Sequence, residues 1–343
     1  MSDDAVVGDV RRMFGDVGAL ADRLRAGEAT ATMRPLGAAD DPIAAATRRE
    51  RARIVAQGVE GLAKVAEGRE RDLRAEERLG MRAIVLLEGR PAILVRDGDF
   101  GAPPEGWARL AEHREGIREV IARSGRIEVD GHMNLDWLGT AFLVAPQTLM
   151  TNRHVARELC LRDGERWTFR PGVTTRVDFL RERGNAAALE FEITEAIGIH
   201  EDHDLALLGV RGASLDGRAL PEPLSVSASE PSDLPDRDVY VVGYPALDTR
   251  RNEPAPIRRI FADVYDVKRL QPGRTVGFSI EHSAIEHDCS TLGGNSGSPV
   301  VDLESDQVIG LHFGGRYGVG NYAVPLWKLT DDPLLRRGGL NFQ

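Results

Sequence analysis

The run Gly293-Gly294-Asn295-Ser296-Gly297-Ser298-Pro299-Val300 constrains this chain more than any other. A serine between glycines, two residues after a glycine, can present its hydroxyl beside two free backbone N–H groups, those of Gly294 and Ser296. Such a pair forms an oxyanion hole, among the largest electrostatic contributions to acyl transfer. A serine hydroxyl alone is a poor nucleophile, so this reading requires a base and a group to orient it. His154 supplies the base, after the apolar run Gly139–Val144 and at the end of Leu149-Met150-Thr151-Asn152-Arg153. Asp204 supplies the orienter and opens the apolar strand Leu205-Ala206-Leu207-Leu208. The order is His, Asp, Ser, with separations of 50 and 92 residues. Subsidiary strings compete with it weakly. His200-Glu201-Asp202-His203-Asp204 is dense in metal-ligand types but has no familiar ligand spacing, so no metal is expected, and Asp202 is the substitute orienter.

That order is the one found in chymotrypsin-type enzymes, unlike subtilisins or α/β-hydrolases. Residues 126 to 330 resemble the trypsin-like serine peptidases, and within them the bacterial glutamyl endopeptidase branch. The resemblance is carried by Thr151-Asn152-Arg153-His154-Val155, Val242-Gly243-Tyr244-Pro245, Ser290 to Pro299, and Ile309-Gly310-Leu311-His312-Phe313-Gly314-Gly315. It implies a mainly β fold of two antiparallel six-stranded β-barrels, chymotrypsin-like, behind a helical N-terminal extension. The first barrel, about 126–230, would carry His154 and Asp204. The second, about 235–330, would carry Ser296. It also implies a serine endopeptidase working through an acyl-enzyme on Ser296. Ser290 stands where trypsins place a selecting aspartate, so basic selection is not expected. Thr291, His312 and Gly314 stand where glutamyl endopeptidases hold the substrate, which implies a preference for Glu or Asp before the cut. Asn295 replaces the aspartate that pairs with a new amine in trypsin activation, so that switch cannot operate in its usual form. Arg53-Ile54-Val55 lies too far from His154 to be a trypsin-type activation site.

With 343 residues the chain can hold more than one domain. A net charge of −10 gives no sequence-wide footprint for nucleic acid or an anionic membrane. The start, Met1-Ser2-Asp3-Asp4, lacks a basic and apolar leader, and no apolar stretch reaches the ~20 residues of a membrane span. Cys160 and Cys289 read as two thiols in a reducing cytosol rather than as a bridge. The expectation is a cytoplasmic enzyme without a cofactor, whose partners are a protein or peptide substrate and an activating protein.

Residues 1–80 form a helical, partner-binding or regulatory extension in this reading. A short helix is expected over 18–26 and a longer one from Asp41-Pro42, carrying Ile54, Leu62, Val65, Ala66 and Leu73. Gly58, Gly61 and Gly68 should weaken it, at about 1 kcal/mol each if exposed. Residues 81–125 are expected to brace the barrel, with a hairpin of Ile84–Leu87 and Ala92–Val95, a linker over 98–104, and a helix over 105–122 whose one face is Trp107, Leu110, Ile117 and Ile121. An esterase or acyl transferase with the same triad, and a binding module on a protease fold, are the readings from other classes.

Overall fold

Alternating and continuous apolar runs from residue 124 onward close into two barrels. The computed structural model describes residues 3–26, 42–164, 166–214, 216–247, 254–316, 320–340 and 342–343. The first barrel consists of β3 (Ser124–Asp130), β4 (Trp137–Ala145), β5 (Thr148–Thr151), β8 (Thr174–Asp178), β9 (Glu190–Ile199) and β10 (Ala206–Val210). Their order around the ring is β10-β5-β4-β3-β8-β9, closed by β9 against β10. A short hairpin, β6 (Cys160–Asp163) with β7 (Arg166–Phe169), lies outside it. Ile127, Leu143, Leu149, Val177, Phe191 and Leu208 fill its interior.

The second barrel contains β11 (Asp238–Gly243), β12 (Arg269–Ser279), β13 (Ala284–His287), β14 (Pro299–Asp302), β15 (Val308–Arg316) and β16 (Gly320–Pro325). The order β11-β14-β15-β16-β13-β12 closes because β12 also pairs with β11. Val239, Val241, Ile285, Val300, Ile309 and Ala323 pack inside. Both barrels are antiparallel throughout, so neither leaves an open sheet edge within its ring. The fold is therefore mainly β, with two six-stranded antiparallel barrels and a helical N-terminal part.

Contacts divide the chain into two units, and the barrels belong to the one made of Ala92–Ala102, Arg109–Leu247 and Val264–Gln343. The other comprises Met1–Pro91, Pro103–Ala108 and Asp248–Asp263. Its described helices are α1 (Asp3–Phe14), α2 (Val17–Arg25), α3 (Pro42–Ala66), α4 (Ala75–Glu88) and α7 (Pro254–Phe261). Helix α2 starts where the sequence places it, with Asp16 accepting from Ala19 N–H at 2.9 Å. Helix α3 begins at Pro42; Asp41, its expected cap, lies outside the described residues. Val6, Val10, Leu20, Leu62, Met81 and Ile84 form this unit's own core.

Two expectations are corrected here. Ile84–Leu87 is not a strand but the last turns of α4. Gly80, Met81, Ile84 and Val85 are buried at helical spacing, and Glu77 accepts the Arg74 N–H at 2.9 Å to start the helix. The hairpin lies one element later: β1 (Ile93–Arg96) pairs with β2 (Asp99–Phe100) across Asp97-Gly98, both at positive φ. Asp-Gly between two short strands is the signal for a two-residue turn, and it sits where the stretch read as a linker, 98–104, begins. The expected helix over 105–122 is broken into a 3₁₀ turn, Glu105–Ala111, and α5 (Arg114–Arg123), yet Trp107, Leu110, Ile117 and Ile121 are all buried as expected.

Candidate active site

His154 sits in the first turn of α6 (Arg153–Leu159), directly after β5 ends. Asn152 occupies the cap position, yet its side chain does not cap the helix. Its Nδ2 instead donates to the Asp204 carbonyl at 2.9 Å. The free N–H of the helix start is taken by the acid: Asp204 Oδ1 accepts the His154 backbone N–H at 2.9 Å, and Oδ2 lies 2.7 Å from His154 Nδ1. Burial would raise the Asp204 carboxyl, but the hydrogen bonds and charge of His154, with Arg153, hold it below the usual carboxylate range. The His154 side chain is 51 % exposed and that of Asp204 20 %, so the ring is open to a substrate and the acid is sheltered behind it.

The turn that carries the acid is fixed from several sides. His200 Nδ1 accepts the N–H groups of Asp202 and His203, both at 3.0 Å. His200 Nε2 meets Asp332 Oδ2 at 3.1 Å, at the start of α8 (Pro333–Arg337). Arg153 reaches the carbonyls of His200 and Glu201. Asp202 is exposed and takes no part in orienting His154. Among the described residues no group of three or more His, Cys, Asp or Glu could hold a metal ion. Cys160 and Cys289 are both buried and not bridged, and burial pushes the Cys160 thiol up to about 11.

Ser296 is half-buried on the loop before β14. Its carbonyl accepts Thr140 N–H at 2.9 Å, so β4 of the first barrel holds the serine of the second. Directly after it the backbone is locked to His312: Gly297 N–H donates to the His312 carbonyl and His312 N–H to the Ser298 carbonyl, each at 2.9 Å. Two successive turns shape the loop, closed by Asn295 N–H on Leu292 O and Ser298 N–H on Asn295 O. Gly294 (φ +85°) and Gly297 (φ +90°) stand third in each, where a side chain is disfavoured. A Cβ at Gly294 would collide with the Tyr244 carbonyl, and one at Gly297 with the Thr140 carbonyl.

The Gly293 carbonyl accepts Ala246 N–H at 2.6 Å. In a trans peptide the following N–H points the opposite way, so this bond turns the Gly294 N–H away from Ala246. Neither Gly294 N–H nor Ser296 N–H finds an acceptor among the described residues. Two donors free for an incoming oxyanion are what acyl transfer requires.

Thr291, His312 and Gly314 fall beside this loop. His312 is buried on β15, its Nδ1 3.1 Å from Nε2 of the fully buried His287 on β13. Burial, then the charges of His287 and His154, drives His312 well below the ordinary imidazole range, and burial takes His287 down to about 3. Thr291 Oγ1 donates to Asn321 Oδ1 at 2.7 Å. A Cβ at Gly293 or Gly314 would meet nothing within 4 Å, so both flank open space. Sequence reasoning missed Asn152, Thr140, Ala246 and Asn321, and read His287 as structural or exposed. None carries a motif of its own, although Asn152 and Thr140 lie within strings already singled out.

Two antiparallel six-stranded barrels, with these residues on loops and strand ends of both, define a chymotrypsin-like serine protease fold. Residues 139–311 match the trypsin-like peptidase domain, about half of the chain, and the chain belongs to that family. It is a serine protease. A probable serine protease of Lysobacter enzymogenes is 27 % identical over 314 residues, covering 81 % of this chain and 80 % of the relative. Among solved structures, the Rv3671c protease of M. tuberculosis in its active form is 21 % identical, with a TM-score of 0.44 over 68 % of this chain and 87 % of that one. Deg5 is 20 % identical, with a TM-score of 0.44 over 66 % and 94 %.

Proposed function

We propose that this chain is a serine endopeptidase that cleaves peptide bonds through an acyl-enzyme on Ser296. The observation that carries the reading is the double acceptance by Asp204 of the backbone N–H and Nδ1 of His154. With Nδ1 so engaged, Nε2 is the ring nitrogen that receives the Ser296 proton as its oxygen attacks the carbonyl. The N–H groups of Gly294 and Ser296 hold the oxyanion. His154 then protonates the leaving amine, and water repeats the sequence on the acyl-enzyme.

The residue before the cut enters beside Thr291, His312 and Gly314. A hydroxyl and an imidazole recognise a planar group bearing two polar atoms. The acids expected of the glutamyl endopeptidase branch and their amides both fit that description, and proton positions decide between them. Residues 1–80 serve in this reading as the seat of an activating partner. The support is that the described part of this segment packs a core of its own, with Val6, Val10, Leu20 and Leu62 buried in it.

The test is labelling of the intact protein with a fluorophosphonate, read by peptide mass spectrometry, with Ser296→Ala as control. Adduct on Ser296 is expected. A folded protein that takes no adduct there overturns the proposal. Removal of residues 1–80 is expected to change the labelling rate, and an unchanged rate rejects the regulatory role.

A further inference from the structure

Asn321, on β16, decides what Thr291 can offer a substrate. Its Nδ2 donates to the Cys289 carbonyl at 2.6 Å, and its Oδ1 accepts from Thr291 Oγ1 at 2.7 Å. The Cys289 carbonyl can only accept, so the amide cannot turn over without setting carbonyl against carbonyl. The Thr291 proton is thereby committed to Asn321, and the Thr291 oxygen has only lone pairs left to present. Gly315 makes room for the arrangement, since a Cβ there would collide with Asn321 Oδ1.

His287 decides what His312 can offer. The Nδ1 of His287 is buried and has no partner among the described residues. A buried N–H without an acceptor is rarer than a bare lone pair, so the proton of this ring sits on Nε2. That Nε2–H donates to His312 Nδ1. His312 then carries its own proton on Nε2. Both rings are neutral, for the burial already described. In β13–β16 pairing His287 lies opposite Asn321, and in β15–β16 pairing His312 lies opposite Ala323, two residues along from Asn321. The two relays therefore run side by side across neighbouring strands.

The result is one donor, His312 Nε2–H, and one acceptor, Thr291 Oγ1. A carboxylate brings two acceptors and a charge: one oxygen would face the Thr291 lone pairs rather than a donor. A carboxamide brings an oxygen for His312 and an NH₂ for Thr291. We propose that this protease selects an uncharged carboxamide side chain, glutamine foremost, before the scissile bond, with Asn321 as the residue that sets the preference through Thr291. The proposal rests on the serine endopeptidase reading above and sharpens its substrate class.

The test compares peptides that differ only in that residue, Gln, Glu, Asn, Asp, Ala or Lys, at neutral pH, alongside fluorophosphonate labelling. A site built around paired hydrogen bonds discriminates strongly against a mismatched group, so kcat/KM for Gln is expected to exceed that for Glu by about tenfold or more. In Asn321→Ala the freed Thr291 hydroxyl can donate. The Gln to Glu ratio is expected to fall about fivefold or more, whatever happens to the absolute rates; a purely structural role would lower both rates and leave the ratio unchanged. Labelled enzyme that cleaves Glu as fast as Gln, or cleaves none of the panel, overturns the carboxamide assignment alone. Enzyme that neither labels nor cleaves overturns the endopeptidase reading with it.

Discussion

Asp204 accepts from the backbone N–H and from Nδ1 of the same residue, His154, so one substitution there acts on both the start of α6 and the ring. In Asp204→Asn a single oxygen remains for two donors. An NH₂ turned toward Nδ1 makes that nitrogen an acceptor and moves the ring proton to Nε2, where it blocks uptake of the Ser296 proton. Turnover at neutral pH is expected to fall by ~10⁴, the magnitude this substitution has in a Ser-His-Asp triad. Steady-state kinetics on a folded variant check it, and a loss smaller than tenfold removes Asp204 from the role. His154, Asp204 and Ser296 stood out in the sequence because the chemistry of acyl transfer prescribes residue types and their order, and the structure joins His154 to Asp204. Asn152, Ala246 and Asn321 were not legible, because their parts depend on carbonyls brought to them by the fold. Asn152 binds one 52 residues away in sequence, Asn321 one 32 residues away.

At the scale of elements, α3 and α4 cross where glycines face one another. A Cβ at Gly80 would collide with the Gly58 N and the Ile54 carbonyl, and one at Gly61 would come within 2.7 Å of Met81 Sδ. Gly58 and Gly61, expected to weaken α3, are thus the ones that let α4 approach it, while Gly68 lies beyond the end of α3 at positive φ and meets nothing. Alanine at Gly80 improves helix propensity by about 1 kcal/mol but overpacks the crossing, which costs about 1–3 kcal/mol. Gly80→Ala is therefore expected to lower the urea midpoint of the helical unit, and a raised midpoint would show that the crossing relaxes freely. The same elements explain why Ile84–Leu87 misled the reading. A short apolar β-branched run fits a buried helix as well as a strand, and the deciding features were the Glu77 bond to Arg74 N–H and the burial of Gly80 against Gly58.

Over the whole molecule, acid acts on the two units at different pH. All eight histidines lie in the barrel unit, and none in the helical one. His287 and His312 are neutral in the folded state because burial lowers them, His287 to about 3 against an ordinary 6.5. The unfolded chain therefore binds protons that the folded one refuses, and stability is complete above about pH 6.5 and falls as pH drops below it. His287 alone costs about 2 kcal/mol between pH 7 and pH 5 by linkage, and His312 acts with the same sign. In the helical unit the sign is that of a depressed carboxyl. Burial pushes Glu77 up, but the Arg74 N–H, Lys64 and the Arg74 side chain outweigh it and bring it down to about 2. Its contribution is intact above about 4.5 and is lost only as pH falls toward 2. Urea unfolding followed by pulse proteolysis at pH 7 and pH 5, with fragments mapped by mass, separates the two. Fragments from the barrels are expected to lose resistance at lower urea at pH 5, while those from 42–91 keep their midpoint. If the helical unit loses resistance first over this range, the buried histidines do not set the acid limit of the fold.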